Sequence, residues 1–166
     1  MIKDFPRDFW EETQSALEFI PTNDVPADIL FTAVKMFLFD ENKILLTKVP
    51  RGWDTPAGHI EKGEDIFDAV KRETQEEAGV VAGQIRFIGY LKIVQLKRNE
   101  KNEKYPQVSG IGIFLCRDFE LLDFSNPLHE ATERRFQNID KVVEIHHRWS
   151  PLNESIMRYA YRLREI

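Results

Sequence analysis

The sequence contains one cysteine, Cys116, among 166 residues. A single thiol excludes an internal disulfide and any zinc site built on several cysteines. Its setting, Ile113-Phe114-Leu115-Cys116, reads as a strand, so a small core side chain is expected rather than a nucleophile. No run of about 18 apolar residues occurs, so no membrane-spanning helix is expected. The start, Met1-Ile2-Lys3-Asp4-Phe5-Pro6, has acids and a proline where a signal peptide needs an apolar stretch. No signal peptide is expected, and the cytoplasm is the default location. Internal repeats and low-complexity tracts are absent too. Basic charge is not in excess: 23 Lys+Arg face 28 Asp+Glu, a formal net charge of −5. That balance argues against a nucleic-acid-binding face and against docking on anionic lipid.

Apolar residues make up 42% and charged residues 31%, the balance of a folded globular chain rather than a disordered one. The length fits a single domain over 1–166 with a core of its own. The acidity is unevenly spread. Between Gly58 and Val80 seven acids face three bases, a net −4, while the remaining 143 residues carry only −1. A local excess of one sign points to a site more strongly than a bulk value does.

Residues 7–19 (RDFWEETQSALEF) are expected to form a short amphipathic helix ending before Pro21, with a loop continuing to residue 28. Residues 29–40 are apolar on both alternating sets, as in a strand covered on both faces. Residues 43–49 give the next strand, and Asp40-Glu41-Asn42 the turn of a hairpin. Residues 50–63, with Pro50, Gly52, Pro56, Gly58 and Gly63, read as loop. Residues 64–78 read as helix, with Gly79 placed for a left-handed cap. Strands are expected at 85–96 and 108–117. The charged run between them, 97–104 (KRNEKNEK), is +2 overall and reads either as a solvated hairpin tip or as a lid over phosphates. Residues 121–133 read as loop, 140–145 as a short helical turn, and 151–166 as a terminal helix opened by Pro151. This order gives an α/β protein with a mixed sheet between helices.

On a helical wheel the 64–78 segment places Phe67, Val70, Thr74 and Ala78 on one stripe, with Ile66 at its edge. Glu73, Glu76 and Glu77 span an arc of about 100° beside it, and Glu77 sits at the apolar margin. Such a placement is unfavourable in three ways. Like charges at i,i+3 and i,i+4 repel by about 0.2–0.5 kcal/mol per pair. A carboxylate at a core margin loses hydration. Acids near a helix C-terminus oppose the macrodipole. A divalent cation reverses all three, and hard cations such as Mg²⁺ prefer carboxylate oxygens. A solvated acidic face accounts for Glu76 but not for Glu77. Gly58 and Gly63 bracket the loop before the helix, where glycine lets the backbone approach a metal or phosphate closely. Glu64 and Arg72 are eight residues apart and meet only if Glu64 folds back from the loop, which would hold the loop on the helix.

Gly58, five residues, Glu64, seven residues, then Arg72-Glu73-Thr74-Gln75-Glu76-Glu77-Ala78-Gly79-Val80 resembles the Nudix box, G-x5-E-x7-R-E-U-x-E-E-x-G-U with U apolar. All seven fixed letters are in place, and a chance match is on the order of 10⁻⁸ per start position. Thr74 stands where the family usually has an aliphatic residue, and its methyl can still pack on the stripe. The resemblance implies a Nudix-type α/β/α sandwich over most of the chain. It implies hydrolysis of a nucleoside diphosphate linked to another moiety, X, with the MutT-like clearing of oxidised nucleotides as one form of that activity, and with Mg²⁺ or Mn²⁺ required. By that resemblance Glu73, Glu76 and Glu77 are metal ligands, joined by the Gly58 carbonyl. Arg72 orients the glutamates, and Glu64 binds Arg72 or joins the metal shell. Residues 128–136 (LHEATERRF) resemble the family's downstream E-x2-E-x2-aromatic stretch. Glu133 is the first choice there for a further metal ligand or general base, and Glu130 the second. An ion-pair cluster with Arg134 and Arg135 is the alternative reading. The implied partner is a nucleotide or other diphosphate-containing small molecule, without nucleic acid or membrane. A homodimer through the N-terminal region or a sheet edge is common in the family.

Two other functions use the same scaffold. An isopentenyl-diphosphate isomerase needs a cysteine in its site, and Cys116 in a core strand is poorly placed for that. A non-catalytic nucleotide sensor is disfavoured because degenerate Nudix domains usually lose some of the glutamates that are intact here. Outside the box, His59 reads as an exposed loop histidine. The adjacent His146 and His147 are poor metal-pair candidates, since neighbours in sequence do not share a helix face. Arg51, Trp53, Tyr90 and Tyr105 are of the types that stack on a base or bind phosphate, with packing the expected role for Trp53 and Tyr90.

Overall fold

A computed structural model of the chain describes residues 4–127 and 129–166. Residues 1–3, at the expected start of the N-terminal segment, and Leu128 of the downstream stretch lie outside the described residues. In order, the strands before the first helix are β1 (Asp8–Trp10), β2 (Ser15–Pro21), β3 (Phe31–Asp40), β4 (Lys43–Val49), β5 (Gly52–Asp54) and β6 (Ala57–His59). Helix α1 (Ile66–Ala78) follows, then β7 (Val80–Ala82), β8 (Ile85–Gln95), β9 (Val108–Cys116), β10 (Phe119–Leu121) and β11 (Glu133–Asn138). A 3-10 turn (Ile139–Glu144) leads to α2 (Pro151–Leu163). No helix among the described residues is long and apolar enough to cross a membrane.

The main sheet runs β1-β2-β8-β9-β3-β4-β11, with β5 paired to β4 and β6 to β3. β3 and β9 are parallel and the other pairs are antiparallel, so the sheet is mixed. Side chains alternate across it and feed two cores. Leu17, Phe19, Phe37, Ile44, Leu46, Ile113 and Leu115 face α2, which adds Leu152, Ile156, Met157 and Ala160. Val34, Met36, Leu38, Leu45, Phe87 and Phe114 face α1, which adds Ala69, Val70 and Ala78. β3 is covered on both faces, as its continuous apolar run predicts. The result is the expected α/β/α sandwich.

The N-terminal helix expected within residues 1–28 does not form. Residues 7–19 hold β1, a turn and most of β2. β2 pairs along its length with β8, from Ser15↔Gln95 to Pro21↔Gly89. Ser15, Leu17 and Phe19 are buried while Glu18 is exposed, a period of two rather than 3.6. Gln14, at φ 47°, reverses the chain between the two strands. A partner edge distant in sequence settles the conformation. β8 supplies ladder hydrogen bonds and a core face to a segment too short for a stable isolated helix.

Residues 50–63 carry more order than a loop. β3 and β4 pair only at the hairpin tip, Phe39↔Ile44 and Asp40↔Lys43. Beyond the tip they diverge. β6 takes the place of β4 against β3 and sets Gly58 opposite Val34, while β5 lines β4 and sets Asp54 opposite Thr47. The wedge between them collects polar side chains.

Candidate active site

Helix α1 starts two residues later than the sequence pattern indicates. Asp65 is its N-cap, with the carboxylate accepting from the Phe67 N–H at 2.8 Å. The helix ends on Gly79 at φ 62°, whose N–H donates to the Gln75 carbonyl. Arg134 of β11 donates to the carbonyls of Ala78 (2.9 Å) and Gly79 (3.0 Å). This guanidinium supplies the positive charge that the acid-rich helix end lacks. Thr74 is buried in the apolar slot, and its hydroxyl donates to the Val70 carbonyl at 2.6 Å. Its polar atom is thereby satisfied within the helix.

Arg72 is the hub of the carboxylates. Its Nε and Nη2 donate to the two oxygens of Glu64 at 2.7 and 3.0 Å. Its Nη1 donates to Glu73 at 2.9 Å and to Glu76 at 3.1 Å, and Nη2 also reaches the His59 carbonyl at 3.0 Å. Glu64 has folded back onto the helix and accepts from the Glu61 N–H at 2.9 Å as well. Both its oxygens are therefore engaged. The bidentate fork gives Glu64 a positioning role and does not favour the place in the metal shell considered for it. The Arg72 guanidinium holds Glu64 below the usual carboxylate range, and Glu64 in turn raises Arg72. Glu73 lies directly on Gly58. A Cβ at position 58 would overlap the Glu73 carboxylate, so only glycine lets that side chain settle on the backbone of β6.

Glu77 has no such cation among the described residues. Its Oε1 accepts from Thr47 Oγ1 at 3.1 Å and from the Ala57 N–H at 3.4 Å. Burial pushes its pKa up to about 7; those two hydrogen bonds oppose the rise and the Asp54 charge adds to it. Burial raises Glu73 too, against the pull of Arg72. Half-buried carboxyls gathered on a glycine backbone form a donor set suited to a hard divalent cation. Among the described residues no three acidic or imidazole groups are already drawn into a closed cage. Arg72 and Thr47 hold the carboxylates instead.

Glu73, Glu76, Glu77 and Gly58 line a cavity of ≈ 1050 Å³. That volume matches the upper range of small-molecule sites. Leu17, Leu91, Ile93 and Ile111 give it an apolar wall, and Trp10 and Tyr105 give it aromatic ones. The run 97–104 is part of this boundary rather than a free tip. Asn102 is buried, and its Nδ2 donates to the carbonyls of Thr13 (2.7 Å) and Lys97 (2.8 Å). Asn99 reaches the Glu12 carbonyl at 3.1 Å, and Arg98 the Tyr105 carbonyl at 2.8 Å. The loop is thus docked on the β1–β2 turn. Tyr105 sets its hydroxyl 3.2 Å from Nε2 of the exposed His59.

Glu130 lines the cavity, but Glu133 does not. Glu133 pairs with Lys48 at 3.2 Å. It stands opposite Lys48 in the ladder, on the sheet face away from Thr47 and the box glutamates. Glu133 is thus in an ion pair, but with Lys48 rather than with Arg134 or Arg135: Arg134 turns to the end of α1 and Arg135 lies over the Trp53 ring. Arg135 covers the Trp53 ring and Tyr90 packs edge-on to Phe31, so both aromatics pack as expected. Cys116 is buried in the α1-side core and is not part of the cavity lining, which leaves the isomerase reading without its thiol.

A second polar centre in the same cavity escaped sequence reasoning. Asp54, at the end of β5, receives Lys35 Nζ at 3.1 Å, His146 Nε2 at 3.0 Å, His147 Nε2 at 3.1 Å and the Thr55 N–H at 2.8 Å. Burial pushes this carboxyl up, but Lys35 and the imidazole hydrogen bonds outweigh it and hold Asp54 well below the usual carboxylate range. The four side chains come from three separate segments, so no spacing rule connects them. The adjacent histidines were the visible hint. They reach one carboxylate because residues 145–148 are not helical, so the helix-face objection does not apply.

A family model described as the NUDIX domain matches residues 30–159. The chain belongs to the NUDIX domain family. Nudix hydrolases generally use divalent metals and act on nucleotide-like substrates. The chain is 53% identical over 36 residues to the bis(5'-nucleosyl)-tetraphosphatase [asymmetrical] of Sus scrofa, which covers 22% of this chain and 24% of that protein. It is 30% identical over 69 residues to an 8-oxo-dGTP diphosphatase of Buchnera aphidicola, covering 40% and 56% of the two chains. The matched part spans about a quarter of the first of these curated relatives and just over half of the second. The Nudix fold extends further: the Bacillus subtilis pyrophosphohydrolase BsRppH superposes with a TM-score of 0.64 at 18% identity, covering 96% of each chain.

Proposed function

We propose that this Nudix protein hydrolyses a pyrophosphate bond in a nucleoside diphosphate linked to a further group X, with Mg²⁺ or Mn²⁺ as cofactor. The observation that carries the reading is Glu77. It is a half-buried carboxyl with no paired cation among the described residues, beside Glu73 on the Gly58 backbone, at the wall of a cavity large enough for a nucleotide. Glu73, Glu76 and Glu77 would hold the metal, joined by the Gly58 carbonyl. The metal, when bound, would neutralise phosphate charge and lower the pKa of an attacking water. Arg72 aims Glu73 and Glu76, and Glu64 fixes Arg72. Glu130, which lines the cavity, would be the downstream carboxylate that accepts a proton. The apolar and aromatic walls suit a nucleobase. The partner is a small nucleotide or related diphosphate rather than a nucleic acid or a membrane, and the setting the cytoplasm.

The test is phosphate or pyrophosphate release from a panel: nucleoside triphosphates including 8-oxo-dGTP, dinucleoside polyphosphates, ADP-ribose and sugar nucleotides. Wild type is expected to turn over at least one class. Glu76→Gln and Glu77→Gln are expected to lose about two orders of magnitude or more, the scale at which removal of an electrostatic catalytic group reads. Full activity in both variants would overturn the residue assignment.

A further inference from the structure

Two histidines share the Asp54 carboxylate, and only one is saturated. His146 Nδ1 accepts from the Arg148 N–H at 3.1 Å, so the proton sits on Nε2 and is donated to Asp54 Oδ1 at 3.0 Å. The His146 side chain is 3% exposed and acts as a strut. His147 Nε2 lies 3.1 Å from Asp54 Oδ2. An ionised carboxylate only accepts, so this Nε2 carries its proton too. Nδ1 of His147 makes no hydrogen bond among the described residues. Its side chain is 19% exposed and lines the cavity that holds the box glutamates.

The backbone is shaped to seat this ring. The His147 N–H donates to the Trp53 carbonyl at 3.0 Å. Gly52 has φ 125°, and a Cβ there would stand 2.7 Å from His147 Cβ. Glycine at 52 is what admits the histidine beside Asp54. Lys35 approaches Asp54 Oδ1 at 3.1 Å and Arg51 approaches Oδ2 at 3.8 Å, so two fixed cations flank the carboxylate. From the same segment as His147, Arg148 adds a further cation, paired with Glu12 at 3.5 Å, and His146 adds a neutral donor. Glu77 adjoins this centre through Thr47, whose hydroxyl is 3.1 Å from Glu77 Oε1 and 3.5 Å from the Asp54 carbonyl.

We propose that His147, oriented by Asp54, is a substrate-contacting residue that takes up a proton as a phosphate group enters the cavity and donates from Nδ1 to a phosphate oxygen. This rests on the pyrophosphohydrolase reading. The proton comes from solvent and returns to it on product release, and no bond forms between His147 and phosphorus. Imidazole is the side chain able to exchange a proton near neutrality, and the incoming polyanion favours its charged form. Asp54 is a positioning residue: it fixes the Nε2–H tautomer and offsets the imidazolium charge. Lys35 and Arg51 add permanent positive charge at the same wall.

The experiment uses the full chain with Mg²⁺ and imidodiphosphate, a non-hydrolysable pyrophosphate analogue, titrated by calorimetry in two buffers of different ionisation enthalpy. At about pH 7.5, wild type is expected to take up protons beyond the exchange of the Mg²⁺–imidodiphosphate complex itself. His147→Gln is expected to abolish that uptake and to weaken binding about tenfold. Asp54→Asn should reduce the uptake, and His129→Gln, at another cavity histidine, should keep it. Nitrogen NMR of wild type should show His147 as the Nε2–H tautomer when free and doubly protonated when bound. Uptake that persists in His147→Gln, or an Nδ1–H tautomer in the free protein, overturns the inference. Wild type that neither binds imidodiphosphate nor hydrolyses any member of the panel defeats the pyrophosphohydrolase reading and the inference together. Wild type that binds and turns over, while His147→Gln keeps both uptake and affinity, defeats the inference alone.

Discussion

Replacing Glu77 by glutamine should make the metal-free protein more stable at high pH and leave it nearly unchanged at low pH. Burial raises the Glu77 pKa from 4.5 to about 7. Between those values the folded chain holds a proton that the unfolded chain has released, so stability falls as the pH climbs through the window. At about 1.36 kcal/mol per pKa unit the full penalty is about 3 kcal/mol, reached above roughly pH 7. Glutamine keeps an oxygen for Thr47 Oγ1 and the Ala57 N–H, the two donors to Glu77. It carries no charge, so the penalty disappears. Urea unfolding in EDTA is expected to show E77Q ahead of wild type by about 2–3 kcal/mol at pH 8 and by less than ~1 kcal/mol at pH 5. Saturating Mg²⁺ should narrow or reverse the order at pH 8, because a ligand stabilises only the chain that binds it. A difference equal at both pH values, or a variant less stable at pH 8, would refute Glu77 as a buried carboxyl without a matching cation.

Two further outcomes follow from the packing around α1. Gly58→Ala should displace the Glu73 carboxylate that rests on position 58. Gly58 is not at positive φ, so stability should change by less than ~1 kcal/mol, while Mn²⁺ affinity measured by electron paramagnetic resonance should fall. Unchanged Mn²⁺ binding would remove Glu73 from the ligand set. Arg134→Met should cost about 2–3 kcal/mol in urea unfolding, because the Ala78 and Gly79 carbonyls lose charged donors at an acidic helix end. A loss below ~0.5 kcal/mol would show that water replaces the guanidinium without penalty.

The box was legible because it is local. Its residues lie within one loop and one helix, where a fixed rise per residue turns spacing into direction. Arg72, Thr74 and Gly79 behave as those spacings require, whereas Asp65 caps the helix instead of lying inside it. The helix expected at residues 7–19 failed for the opposite reason. Its alternation of Ser15, Leu17 and Phe19 becomes meaningful only beside β8, some 70 residues away. Glu133 shows the same limit from the other side. Its motif suggested a metal-ligand or base role, but strand register turned it to the far face and onto Lys48.

The sequence by itself determined helix α1, its C-cap and the set of carboxylates it presents, since each is set by residue type and helical period. It also determined that β3 is central, through an apolar run with no polar face. The tertiary structure alone decided which carboxylates stay free. Arg72 occupies Glu64, Lys48 occupies Glu133, and Glu77 is left without an ion-pair partner among the described residues. It also decided that Asp54, Lys35, His146 and His147 share one centre, because the divergence of β3 from β4 opens a wedge that these separate segments fill. Local periodicity fixes what a segment offers. Burial and pairing across the sheet fix what it meets.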